Sequence, residues 1–284
     1  MPRMILHIGA HKTATSYMQK KLAQNIDLLA GRGVHYTPLD VMRKEFTPLI
    51  NETAPAESEW LTALRTTGGT MNLLLSEENI MGVPGDIVRE GHYYVSARQR
   101  LTRTCQMLDA EAPEIYLGLR DYAGFTVSMY SEYIRHRPFL PFSDYLDIYE
   151  KSDFSWIRVI EDVLAATPSA KLTIWDFANF RAIENDVFSA MLGFDAGILA
   201  SPEGMVRESF SDAAMRAFAA LSGALTHGEM KKLINPIARN LPKGADHPAY
   251  DPLTPEAKEQ MRARYKADLV TIAERFPTLG VIGG

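Results

Sequence analysis

The sequence predicts an α/β protein: a doubly wound parallel sheet flanked by helices, followed by a helical C-terminal region. Three observations predict it. Short apolar runs recur along the first two thirds of the chain. Each run gives way to a segment with helical spacing, and strands that alternate with helices build parallel sheets. After Asp195 such runs stop and only helical patterns remain. With 284 residues, 46% of them hydrophobic, the chain can bury a sizeable core. It reads as one domain over 1–284, an α/β core over 1–199 with a helical extension over 200–284.

The elements follow in order. Met4 to Ile8 is a buried strand that stops at Gly9, and Gly9 to Ala14 is a loop. From Thr15 the spacing of Met18, Leu22, Ile26 and Leu29 predicts a helix that ends near Gly31 and Gly33. Val34 to Tyr36 is a short strand. Residues 41–66 have helical character, interrupted by Pro48 and Pro55. Met71 to Leu75 is a strand whose tip carries Ser76, Glu77 and Glu78, and 82–91 is loop-rich. Ala97 to Leu108 is a basic helix, with Arg98, Arg100 and Arg103 on a solvated face. Ile115 to Leu119 is a strand ending at Arg120. Asp121 caps a helix that runs to Arg135, in which Met129, Tyr130 and Tyr133 are packing residues. Lys171 to Trp175 is a strand ending at Asp176. Helices follow over 211–224, 228–238 and 254–276, the last two separated by a loop over 241–255.

Composition narrows the function classes. The net charge is −5, so no global positive field points to nucleic acid. No stretch approaches the roughly 18 apolar residues of a membrane span. The apolar run at the N-terminus is too short for a signal peptide, so the expected location is the cytoplasm. The single cysteine, Cys105, allows neither an internal disulfide framework nor a multi-cysteine zinc site, and it reads as a small buried hydrophobe on a helix. His7 reads as a core histidine of the first strand.

The chemistry-bearing residues collect at the strand tips. In open parallel sheets, ligands bind outside the carboxyl ends of the strands. Here those ends carry Gly9-Ala10-His11-Lys12-Thr13, Ser76-Glu77-Glu78, Arg120-Asp121 and Asp176. The first loop has what an anion site needs: backbone amides that can turn inward, a helix N-terminus behind them and a lysine. It departs from the triphosphatase pattern Gly-x-x-x-x-Gly-Lys-Ser/Thr. His11 stands where glycine precedes the lysine, and the loop is shorter, a form suited to a single 5'-phosphate. No cluster with metal-ligand spacing occurs.

The stretch from Leu6 to Ser16 resembles the 5'-phosphosulfate loop of sulfotransferases that use 3'-phosphoadenosine-5'-phosphosulfate (PAPS), closest to their bacterial and carbohydrate-type members. Ala14 departs from the usual glycine. Two further motifs share the resemblance: Arg120 followed by Ser128 eight residues on, and the strand end Ser76-Glu77-Glu78. Together the three cover about forty residues. The resemblance implies a P-loop-NTPase-like fold and transfer of a sulfuryl group from PAPS to a hydroxyl or amine, leaving PAP, without a metal. It implies that Gly9, His11, Lys12, Thr13, Ala14, Thr15 and Ser16 hold the 5'-phosphosulfate, and that Arg120 and Ser128 hold the 3'-phosphate. A lysine at position 12 would stabilise charge growing on the leaving oxygen. A base must face the sulfur from the other side; Glu78 is the first candidate, Glu77 the second and His11 the third. The acceptor would be a carbohydrate or small metabolite, framed by residues 37–70, 82–97 and 200–255. Two rival readings stand beside this one. An ATP- and magnesium-dependent small-molecule kinase would use Asp176 as its metal carboxylate. A non-catalytic nucleotide-binding module would keep Lys12 and Arg120 but would not need the glutamates.

Overall fold

The computed structural model describes residues 2–53, 57–203 and 209–283. Pro55, expected to interrupt the second helical stretch, lies outside the described residues. Six strands form one parallel sheet: β1 (Met4–His7), β2 (Val34–Thr37), β3 (Asn72–Ser76), β4 (Glu114–Leu119), β5 (Lys171–Asp176) and β6 (Gly280–Ile282). Their order across the sheet is β2-β3-β1-β4-β5-β6. The longer helices are α1 (Thr15–Gln24), α2 (Ile26–Gly31), α3 (Glu59–Gly68), α4 (Ala97–Met107), α5 (Tyr122–His136), α6 (Phe142–Lys151), α7 (Trp156–Ala166), α8 (Phe180–Leu192), α9 (Asp212–Ser222), α10 (His227–Asn240) and α11 (Pro255–Arg275).

Both sheet faces are covered, which is why the strands read as unbroken apolar runs rather than alternating ones. Successive strand residues point to opposite faces. Leu6, Leu73, Leu75, Ile115, Leu117 and Ile174 join one core with Leu101, Phe125 and Trp156. Ile5, Leu74, Tyr116 and Trp175 join the other with Met18, Leu22, Phe188 and Met191. Cys105 is free and buried on α4, and burial pushes its thiol up to about 12.

Three expectations need correction. The helix foreseen from Thr15 to Gly33 breaks at Asn25, whose side-chain amide donates to the carbonyls of Lys21 and Ala200 instead of leaving the backbone to continue. Arg100 and Arg103 are not a solvated face. Their guanidinium groups donate to the carbonyls of Asn79, Ile80 and Leu49, tying α4 to two short helical turns beside it. Nor do strands stop after Asp195: β6 adds to the edge of the sheet, pairing Gly280 with Thr173, Val281 with Ile174 and Ile282 with Trp175. Three residues are too few to show a strand period.

The C-terminal helix is bound closely to the α/β core. The Tyr265 hydroxyl donates to Asp176 at 3.0 Å. Asp268 accepts from Ser155 at 2.9 Å and from the hydroxyl of Tyr122, at the start of α5. Among the described residues no helix is long and apolar enough to cross a membrane.

Candidate functional site

The chain leaves β1 toward β2 and β3 on one side, whereas β4 lies on the other side of β1. This reversal opens a crevice at the carboxyl ends of β1, β3 and β4. A cavity of about 1310 Å³ occupies it. Small-ligand sites commonly hold about 300–1000 Å³, so this one has room for two substrates at once.

The loop after β1 is shaped by close approach. Gly9 has φ +110°, and a Cβ there would stand 3.1 Å from the Cβ of Glu78. The backbone at Lys12 and Ala14 turns left-handed, with φ of 64° and 67°. Ala14 is the N-cap of α1 and supplies no side-chain cap, so the opening amides of the helix have no local side-chain acceptor. His11, Lys12, Ala14, Thr15 and Ser16 line the cavity. Thr13 does not: it is fully buried, and its hydroxyl donates to the Ala10 carbonyl at 2.7 Å. Its side chain holds the loop together and is turned away from the expected phosphate.

Arg120 and Ser128 line the same cavity. The Arg120 guanidinium donates to the Lys12 carbonyl at 2.7 Å and lies over the Phe177 ring, 5.0 Å from its centre. Burial lowers its pKa from the usual value. The Trp156 indole N–H donates to the Arg120 carbonyl and fixes the backbone at that strand tip.

The three expected bases occupy different environments. Glu78 lines the cavity. Its carboxylate accepts from the Gln19 amide at 2.8 Å and from Arg43 at 3.2 Å. Burial raises the Glu78 carboxyl, but the His11 ring, its own backbone amide, Arg43 and Gln19 outweigh burial and hold it below the usual carboxylate range. Burial in turn lowers the His11 pKa. Glu77 is fully buried and does not reach the cavity. It accepts from Arg43 at 3.1 Å and from the Asn79 amide at 3.0 Å, while burial and the charge of Glu78 raise its pKa. Adjacent residues leaving β3 point opposite ways, and the register sends Glu78 to the cavity. His11 has both ring nitrogens occupied. Nε2 faces the Asn79 side-chain oxygen Oδ1 at 3.2 Å and must carry the proton, so Nδ1 accepts from the Tyr94 hydroxyl at 3.0 Å. An imidazole so held has no lone pair left for an acceptor's proton. His7 is buried on β1, with Nδ1 2.7 Å from the Ser76 hydroxyl.

The structure adds residues that the sequence reading missed. Glu132 lines the cavity, 3.2 Å from the Lys12 ammonium and 3.1 Å from the His136 ring. It lies one helical turn past Ser128, so an i,i+4 reading of α5 could have found it. Arg43 comes from a π-helical turn, Met42–Phe46, inside the stretch that prolines obscure. Asp176, the kinase reading's metal carboxylate, is occupied in holding local structure. Its Oδ1 accepts from the Ala178 amide and from Tyr265, both at 3.0 Å.

Neither a family model nor a curated protein matches this sequence. Among solved structures, a sulfotransferase from Alicyclobacillus acidocaldarius is similar over 83% of this chain and 97% of its own, at 15% identity and a TM-score of 0.40. That likeness carries no argument about residues or activity.

Proposed function

We propose that the protein is a PAPS-dependent sulfotransferase acting on a hydroxyl or amine acceptor. One observation carries the reading: a helix start without a side-chain cap, Lys12, Arg120 and Ser128 face a single two-substrate cavity that an ionised Glu78 also lines. The amides opening α1 suit the 5'-phosphosulfate, and Arg120 with Ser128 suits the 3'-phosphate. Glu78 removes the acceptor's proton as the new oxygen–sulfur or nitrogen–sulfur bond forms. The bond between sulfur and the bridging phosphate oxygen breaks in the same displacement. Lys12 stabilises the charge that gathers on that oxygen, and PAP leaves.

Thermal unfolding with and without PAP tests the donor site. A ligand at about a hundred times its dissociation constant stabilises the native state by roughly 2.7 kcal/mol. PAP is expected to raise the unfolding temperature, and Lys12→Ala or Arg120→Ala to remove the rise. A rise with ATP and Mg²⁺ but none with PAP would sink the reading in favour of a kinase.

A further inference from the structure

The cavity is lined by residues beyond those expected to hold PAPS, and several of them are basic. Helix α5 provides the ruler. Arg120 precedes it, Ser128 is midway, Glu132 stands against Lys12, and Arg135 and His136 form its last turn. At about 1.5 Å per residue, Arg137 lies some 13 Å beyond Ser128 and some 7 Å beyond Glu132. The phosphate-binding residues and the reacting lysine therefore sit at or before Glu132. Whatever meets Arg137 is on the acceptor's side of the transfer point.

Four cations outside the expected donor site line the cavity: Arg43, Arg135, Arg137 and Lys243. Their placement is built into the fold. Arg137 packs against Gly85 so closely that a Cβ there would lie 2.6 Å from its Nε. Arg135 stacks over Phe210, 4.0 Å from the ring centre. The neighbouring Ser211 hydroxyl donates to the Leu241 carbonyl at 2.6 Å, which brings the segment bearing Lys243 to the end of α5. Arg43 bridges Glu77 and Glu78 yet keeps a 43% exposed side chain. Arg137 and Lys243 form no ion pair with an acid among the described residues. The chain as a whole carries −5, so a basic lining to part of its main cavity runs against the average charge of the molecule.

We infer that the acceptor already carries an anionic group, a carboxylate, phosphate or sulfate, which Arg137 and Lys243 bind a helical turn or so past the atom that receives the sulfuryl group. This rests on the proposed sulfotransferase reading and deepens it. An anion held there would orient the acceptor with its nucleophile toward Glu78. It would also disfavour neutral molecules of the same shape, since covering the exposed Arg137 and the half-buried Lys243 with a neutral ligand would leave both charges without a counter-charge.

Calorimetry on the PAP-loaded protein tests the inference, with glucose, glucuronate, glucose 6-phosphate and glucose 6-sulfate as probes. At least one anionic sugar is expected to bind ten times more tightly than glucose. That preference should vanish in the Arg137→Gln/Lys243→Gln double variant while its PAP affinity stays unchanged. Equal responses to glucose and all three anions, including no response to any, would overturn it. So would a preference that survives in the double variant, or anionic probes that displace PAP, since the cations would then serve the sulfuryl donor. The same titrations on unloaded protein separate the two readings. Failure of PAP to bind refutes the donor site, while the comparison of glucose with its anionic relatives still decides the acceptor's charge.

Discussion

At the scale of single residues, two adjacent glutamates have been given opposite tasks by one peptide unit of register. Glu78 faces the cavity and Glu77 is buried behind it. Replacing Glu78 by glutamine is expected to reduce turnover by about 10²–10⁴-fold and to leave PAP binding intact; turnover near wild type would remove Glu78 as the base. Glu77→Gln should act differently, lowering stability by about 1–3 kcal/mol because a buried network loses a charge, with turnover per folded molecule reduced far less. Arg43 couples the pair. Because Arg43 helps hold Glu78 below the usual carboxylate range, activity should persist as pH falls through about 4.5. In Arg43→Ala the acid limb of the kcat/KM profile should move to higher pH, and Arg43→Lys should restore part of the shift. A limb that stays in place would show that Arg43 does not tune Glu78.

At the scale of elements, what could be read in the sequence depended on whether the signal was local. The β1–loop–α1 unit was legible because an apolar run, a glycine, a lysine and helical spacing lie within about thirty residues. The tips of β3, β4 and β5 were legible for the same reason. Side-chain direction was not: Thr13 belongs to the loop motif, yet its hydroxyl turns back to Ala10. Arg43 and Lys243 come from segments without a clean period, and their approach to the crevice is decided by packing far along the chain. Strand β6 was illegible because only its partner makes it a strand. The loop also yields a prediction of its own. Ala14 holds a left-handed conformation, φ 67° and ψ 15°, which costs a non-glycine residue about 1–2 kcal/mol. Ala14→Gly relieves that cost and gives back about 0.4–1 kcal/mol through the freer unfolded chain. Thermal unfolding should show unchanged stability or a gain of up to about 1.6 kcal/mol. A clear loss would mean that the Ala14 methyl group contributes packing that outweighs the strain.

At the scale of the whole molecule, the buried histidine of β1 should shape the response of stability to acid. Burial lowers the His7 pKa to about 4, whereas in the unfolded chain it stays near its ordinary value of about 6.5. Between those values the unfolded state holds a proton that the native state does not. Stability therefore falls as pH drops through that window, by roughly 3 kcal/mol from this group alone. Chemical denaturation across the window should show the decline in the wild type and a shallower one in His7→Gln. Parallel curves would show that His7 does not carry it.

The order of the sheet also matters to the protein as it is being made. The edge of β5 is complete once Asp176 has been synthesised, but the strand that covers it, β6, begins only at Gly280. At about 5–20 residues per second, a ribosome takes some 5–20 s to make the intervening chain. Throughout that interval the nascent protein carries a half-paired strand, β5, the kind of edge to which a neighbouring chain can add. Strand β6 thus acts as a closing seam, and a chain broken off between Lys243 and Gly280 would have its cavity residues already made and its sheet still open.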